Sequence, residues 1–311
     1  MINNVKFYWE VLQETFAEWN KSSASKDSAS LAYYAIFSIP GLLIIIIWIA
    51  GNFFGEEAIR GEISHQIGGI MGTDVAKSIE NMIAGALIDK QNIVMKTVGV
   101  GSLVYGSTTL FFQLQHSLNS LWDIQSAPKK ALVKFLLDRA NSLGMILILG
   151  FLLMITMILS SLISVFNKLI TQYFGFETYM LVETVNFAAG FGFVMLLFAL
   201  MFKVLPDVKV SWRPVWKGAF LTAVLFTLGK FLLSLYFGTA KPTSAFGTAG
   251  TVILIMMWIN YSCMLVFFGA EFTKVYAYKK GYTIVPSKHA KWSDAKLYEE
   301  RMKRENAGDL G

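Results

Sequence analysis

Two charged side chains stand inside long apolar runs: Glu183 within residues 179–205 and Lys230 within residues 215–237. An ionisable group at the centre of a hydrocarbon span costs roughly 2.5–3.5 kcal/mol on insertion scales, so each needs a partner, a wet cavity or a route to the headgroups. Glu183 lies about one helical turn, and Lys230 about two, from the same expected outer end. With Asn186 beside them they can pair or line a polar cavity opening outward. Each can equally snorkel to the outer headgroups on its own.

A second set gathers at the opposite ends of the apolar runs: Asp27, Asn119, Asp123, Arg139 and Glu271, with Tyr33, Tyr34, Gln113 and His116 somewhat deeper. Polar side chains facing the interior of a helix bundle seek one another. A hydrogen-bonded cluster there would suit a headgroup or a transferred proton. Helix capping and interfacial decoration by tyrosine account for the same residues, so both readings stay open.

Catalysis would need a nucleophile with its base, or a set of metal ligands. His65, His116 and His289 fall in an outer segment, a span and the tail, so they cannot share a site. Cys263 is the one cysteine, which removes disulfides and thiolate clusters from the chain. The sequence has no HExxH, no GxSxG and no phosphate-binding loop. The expectation is a protein that is not an enzyme, with no cofactor and no metal.

The elements that must position these residues follow from hydropathy. The 311 residues are 55% hydrophobic and 15% charged, well below the usual charged fraction of about a quarter. The apolar residues fall in blocks of membrane-spanning length. The expected fold is an all-α integral membrane protein, a six-transmembrane-helix bundle with spans at about 29–54, 92–117, 139–166, 179–205, 215–237 and 248–275. Residues 1–28 form an amphipathic helix and linker: Val5, Tyr8, Trp9, Leu12, Phe16 and Trp19 recur at helical spacing, suiting a helix on the membrane surface or on the bundle. Asp27 is placed to cap span one.

Between spans one and two, Ile59, Ile63, Ile67, Ile70, Val75, Ile79, Met82 and Ile83 suggest one or two short extracytoplasmic amphipathic helices. Pro40 is expected to kink span one. Gly99 with Gly101, Gly190 with Gly192, and Gly247 with Gly250 are expected to let helices approach closely. Residues 276–311 form a basic, partly disordered tail with a helical stretch around 292–304.

Orientation follows from the basic residues. Arg60, Lys77, Lys90, Lys96, Lys168 and Lys241 fall on one side and Lys230 within a span, whereas the other lysines and arginines gather on the side of both termini. Positive residues stay in the cytoplasm, so both termini are expected there, in a multi-pass bacterial inner-membrane protein. The N-terminus lacks the apolar core and cleavage site of a signal peptide and is expected to be retained.

Several segments at the ends of these runs resemble one family. They are Asp27 with the run Ser30-Leu-Ala-Tyr-Tyr-Ala-Ile-Phe-Ser-Ile-Pro40; Leu118-Asn-Ser-Leu-Trp-Asp123; Pro206 with Trp216-Lys-Gly-Ala219; Phe246-Gly-Thr-Ala-Gly250; and Trp258 followed by Gly269-Ala-Glu271. From about residue 10 to 280 the chain is similar to the bacterial YihY/BrkB membrane proteins, once labelled ribonuclease BN-like. The resemblance implies six spans with cytoplasmic termini, links to serum resistance and envelope-lipid movement, and a nuclease label regarded as a misassignment. Where the family often shows Tyr-Gly, this chain has Phe246-Gly247, so no hydroxyl role carries over there.

The function expected is that of a transporter, or a facilitator of lipid or amphiphile movement in the cell envelope. The alternative is a non-catalytic membrane scaffold for envelope-assembly partners. The partners this reading allows are membrane lipids, with anionic headgroups at the cytoplasmic face, envelope-assembly proteins and a second copy of the chain; nucleic acid is not expected.

Overall fold

Apolar runs of this length fold as helices in lipid because only a helix satisfies every backbone N–H and C=O within its own segment. The structure, a computed structural model, describes residues 2–71, 73–85, 93–127, 140, 142, 144, 146, 177–240, 242–288 and 290–298. These residues are mostly helical: α1 (Ile2–Lys21), α2 (Ala24–Phe54), α3 (Glu56–Met71), α4 (Thr73–Gly85), α5 (Ile93–Leu121), α6 (Glu177–Val204), α7 (Trp212–Ala240) and α8 (Pro242–Lys279). Four short strands depart from the all-α expectation: β1 (Ile124–Ser126), β2 (Val208–Lys209), β3 (Val285–Pro286) and β4 (Ala290–Trp292).

Among the described residues four stretches are long and apolar enough to cross a membrane: Ala24–Phe54, Phe187–Val204, Trp212–Leu233 and Gly250–Lys279. Helix α5 occupies the span expected at 92–117 but is not among these four. The span expected at 139–166 lies almost wholly outside the described residues. Large apolar side chains point away from the bundle, among them Phe37, Trp48, Phe187, Phe231 and Leu232. A surface of that kind is a surface for lipid.

Helix α2 packs on α5 and α8, α8 on α7, and α7 on α6, so α2 and α8 form the centre of the bundle. Helix α1 lies on α8, with Val11 fully buried among Phe272, Val275 and Tyr276. Tyr8 stacks on Tyr276 at 6.1 Å, and the Lys279 ammonium meets the Glu14 carboxylate at 2.8 Å. Of the two sequence readings for this helix, the bundle is therefore what its inner face covers, while Val5, Trp9 and Phe16 remain exposed. At the far end α3 and α4 form a hairpin against α2. Ile59, Ile63, Val75, Ile79 and Ile83 are all buried there, which uses the apolar stripe that the sequence shows.

Among the described residues, the closest glycine contacts lie between α7 and α8. A β-carbon at Gly218 would overlap the Thr273 hydroxyl, one at Gly269 would overlap that of Thr222, and one at Gly229 would overlap the ring of Tyr261. Each threonine donates back to its own helix, Thr222 Oγ1 to the Gly218 carbonyl at 2.8 Å and Thr273 Oγ1 to that of Gly269 at 2.7 Å. Two Gly-x-x-x-Thr steps thus interlock across the antiparallel pair. Close approach is not found at Gly101, Gly190 and Gly192, where a β-carbon would meet nothing within 4 Å among the described residues. Glycine spacing alone does not say which face of a helix looks inward.

One other expectation needs correction, and part of the tail can be placed. The helix carrying span one begins at Ala24, after a break of only Ser22 and Ser23, so Asp27 sits in its first turn instead of capping it. Its carboxylate accepts a hydrogen bond from Ser23 Oγ at 2.7 Å and favours the positive end of the helix dipole. The described part of the tail pairs back on the bundle: β1 with β4 and β2 with β3, both antiparallel. Residues 294–298 are helical, within the stretch expected around 292–304, and residues 299–311 lie outside the described residues. Two loops present unpaired backbone edges there, and Ile284 and Trp292 supply enough apolar surface to seat the strands. Both terminal segments consequently lie at one end of the bundle, opposite the α3–α4 hairpin.

Candidate functional site

At the end of the bundle shared by the termini, α5 stops in the segment Leu118-Asn-Ser-Leu-Trp-Asp123. Leu118 and Trp122 are fully buried, and Asp123 turns the chain with φ of 57°, a left-handed conformation that Asp tolerates better than most residues. A helix ends with carbonyls that have no partner in the helix and with the negative pole of its dipole. Lys274, entering from α8, answers both needs: its ammonium donates to the Leu121 carbonyl at 2.6 Å. The same nitrogen stands 3.2 Å from Asp123 Oδ2 and 3.0 Å from Glu271 Oε1. Glu271 is one turn before Lys274 on α8 and is the only charged residue of the fully buried class among the described residues.

Two carboxylates therefore share one ammonium. Lys274 meets Glu271 Oε1 as an ion pair, and that buried oxygen has no other donor among the described residues. Glu271 is one of the residues that line a recess of about 230 Å³, with Glu18, Lys21, Ser22, Ser23, Ser120, Leu121, Asp123 and Lys274. One water needs only about 10–15 Å³. At its mouth Lys21 and Glu18 pair at 2.8 Å, both well exposed, which makes that pair weak.

Beside the recess a second cluster ties the loops together. Asp207, after α6, accepts from Asn119 Nδ2 at 2.9 Å, Ser126 Oγ at 3.1 Å and Gln115 Nε2 at 3.3 Å. Its backbone N–H donates to Asn119 Oδ1 at 2.7 Å. The tail joins at the same place: the Ser287 N–H donates to the Asp207 carbonyl at 2.9 Å, and the Ser293 N–H to the Asp123 carbonyl at 2.7 Å.

Of the residues singled out on this side, Asp123 and Glu271 meet in the recess and Asn119 anchors the neighbouring cluster. Asp27 stays one step away, on Ser23. Tyr33 and Tyr34 are 56% and 37% exposed and pack edge-to-face on each other, so the structure brings neither to the recess. Gln113 is half-buried; Gln115, two positions on and about 200° round the helix, makes the reach to Asp207. Arg139 lies outside the described residues, as do the side chains of Glu183 and Asn186 on α6. Lys230 is half-buried on α7, next to the Gly229 contact with Tyr261.

Lys274 and Asp207 escaped the sequence reading. The i, i+3 spacing of Glu271 and Lys274 was a visible signal, since that spacing puts both on one face. Asp207 follows Pro206 in an ordinary-looking loop and gave none.

The chain matches the family described as Virulence factor BrkB over residues 15–294. It is similar to a UPF0761 membrane protein of Haemophilus influenzae (strain 86-028NP), 28% identical over 262 residues that cover 81% of this chain and 91% of the relative. A UPF0761 membrane protein of Psychromonas ingrahamii is 24% identical over 276 residues, covering 88% and 89%. One of Alcanivorax borkumensis is 26% identical over 293 residues, covering 93% of this chain and 65% of that longer relative. No solved structure matches.

Proposed function

The chain belongs to the virulence factor BrkB family, and from that premise we propose a six-span inner-membrane protein that facilitates movement of lipid or another amphiphile in the cell envelope. The observation that carries this reading is the polar recess at Glu271 and Lys274, set where a headgroup would lie. Helix α8 has 38 residues and is about 57 Å long, longer than a bilayer of roughly 40–45 Å including headgroups. Glu271 stands eight residues before the end of that helix, Lys279, and so about 12 Å inside it, at headgroup depth if the overhang is on this side. Lipid-facing apolar helices beside a water-accessible polar seat are what an amphiphile needs to change its surroundings.

Six spans and cytoplasmic termini are part of the proposal. Ser126 is bonded at the terminal end, and α6, antiparallel to α7, begins at the hairpin end. The apolar run at 139–166, almost wholly outside the described residues, would be the third of the six spans. The excess of lysine and arginine at the terminal end supports placing that end in the cytoplasm, against anionic headgroups. Catalysis is no part of the reading.

Reconstitution tests it. In vesicles carrying a fluorophore-labelled lipid, the protein is expected to speed leaflet exchange above protein-free vesicles, with or without an imposed proton gradient. No movement of lipid in either condition would remove the proposal. The competing scaffold reading draws on the tail, which clasps both loops into one ordered face; it is favoured if exchange is absent while crosslinks from residues 285–298 capture envelope-assembly proteins.

A further inference from the structure

The recess has a sign and a bonding preference. Its lining holds three carboxylates, Glu18, Asp123 and Glu271, against two ammoniums, Lys21 and Lys274. Glu18 and Lys21 neutralise each other at the mouth. Deeper, Lys274 is shared between Asp123, Glu271 and the Leu121 carbonyl, so among the described residues the floor carries one negative charge more than it has positive. One ammonium divided in this way leaves the partly exposed Asp123 carboxylate open to a second cation. Independently, Glu271 lines the recess, and its buried Oε1 has no donor besides the Lys274 ammonium among the described residues. What the described residues do not supply is a second positive charge that also brings N–H donors.

We propose that the recess seats a primary ammonium group, such as that of an amine-bearing lipid headgroup, against Glu271 and Asp123. This rests on the headgroup seat proposed above and adds its chemistry. An –NH₃⁺ group supplies three donors and fits beside Lys274 without displacing it. A quaternary ammonium has the charge but no donor, so it adds no hydrogen bond to either carboxylate. An anionic headgroup with no nitrogen meets like charge.

Binding to the purified full-length protein in micelles, measured by native mass spectrometry, tests this without relying on a variant. The ligands are phosphatidylethanolamine, its mono- and dimethyl forms, phosphatidylcholine and phosphatidylglycerol with matched acyl chains. Affinity is expected to fall stepwise with N-methylation, by at least tenfold from ethanolamine to choline, with phosphatidylglycerol weakest. Glu271→Gln, checked as folded by thermal unfolding, is expected to reduce the whole series to within about threefold. Equal binding of choline, glycerol and ethanolamine lipids overturns the proposal, as does a selectivity that survives in Glu271→Gln.

Ethanolamine alone separates the sources of the amine. Competition by it at millimolar concentration assigns the site to free amines as well; binding of the lipid only assigns it to headgroups; binding of neither overturns the proposal. Selective binding without lipid movement removes the transport reading and keeps this one. Lipid movement without headgroup preference does the reverse.

Discussion

Asn119 and Asp207, 88 positions apart, hold each other in both directions: the Asn119 amide donates to the Asp207 carboxylate at 2.9 Å, and the Asp207 N–H donates to the Asn119 carbonyl oxygen at 2.7 Å. The loop after α5 and the loop after α6 are fixed relative to each other by this exchange, and the tail strands seat on both. Removing the amide leaves a part-buried backbone donor and a carboxylate short of partners. Asn119→Ala is expected to destabilise the fold by about 2–3 kcal/mol, read from denaturant unfolding in micelles. Asn119→Asp should be worse, since it sets two carboxylates together. An Asn119→Ala protein as stable as the parent would show the exchange to be dispensable.

Lys274 and Glu271 differ in what their loss does. Lys274→Met strands two carboxylates, one of them fully buried, and is expected to cost about 3–5 kcal/mol. Glu271→Leu with Lys274→Met removes the buried charge together with its partner and should regain most of that loss. The unfolding midpoints of both single variants and the double variant complete the cycle, and simple additivity would argue against a coupled pair.

The interlocked Gly218 and Thr273 set a steric prediction. Gly218→Ala is expected to cut the folded yield sharply, because its methyl needs the space of the Thr273 hydroxyl. Adding Thr273→Ala should restore only part of it, since the Gly269 carbonyl remains 2.9 Å from the same β-carbon position. Gly192→Ala on α6 is expected to be neutral or to stabilise by up to about 1 kcal/mol through helix propensity. Size-exclusion profiles of the three proteins in detergent provide the comparison.

Val11 anchors α1 on the last helix with no exposed surface. Val11→Asp buries an unpaired carboxylate and is expected to release α1, making Lys21 several-fold more susceptible to trypsin. An unchanged cleavage rate would mean that the stacking of Tyr8 on Tyr276 and the Glu14–Lys279 pair suffice to hold the helix.

The tail strands yield a parallel test. Ending the chain at Gly281 strips the partners of β1 and β2 and exposes their edges. Trypsin is then expected to cut after Lys209 several-fold faster than in the full chain, while Trp292→Ala produces a smaller increase in the same direction.

Hydropathy determined a great deal by itself. Long apolar runs in lipid fold as helices, so the spans expected at about 29–54, 179–205, 215–237 and 248–275 were legible from composition and length, and the structure has long apolar helices there. The stripe of isoleucines in α3 and α4 was legible because periodicity alone marks the face to be buried. Asp123, Asn119 and Glu271 stood out because polar groups at the ends of apolar runs are few. Tertiary structure decided the rest. Which glycines touch among the described residues, Gly218 and Gly269 but not Gly190, depends on how helices rotate about their axes. Whether Gln113 or Gln115 points inward is decided by the same rotation, which a helix apolar on every side does not encode. Lys274 and Asp207 become central only because the end of α5, the loop after α6 and the tail converge on one spot. Contacts between residues so distant in sequence leave no local pattern to read.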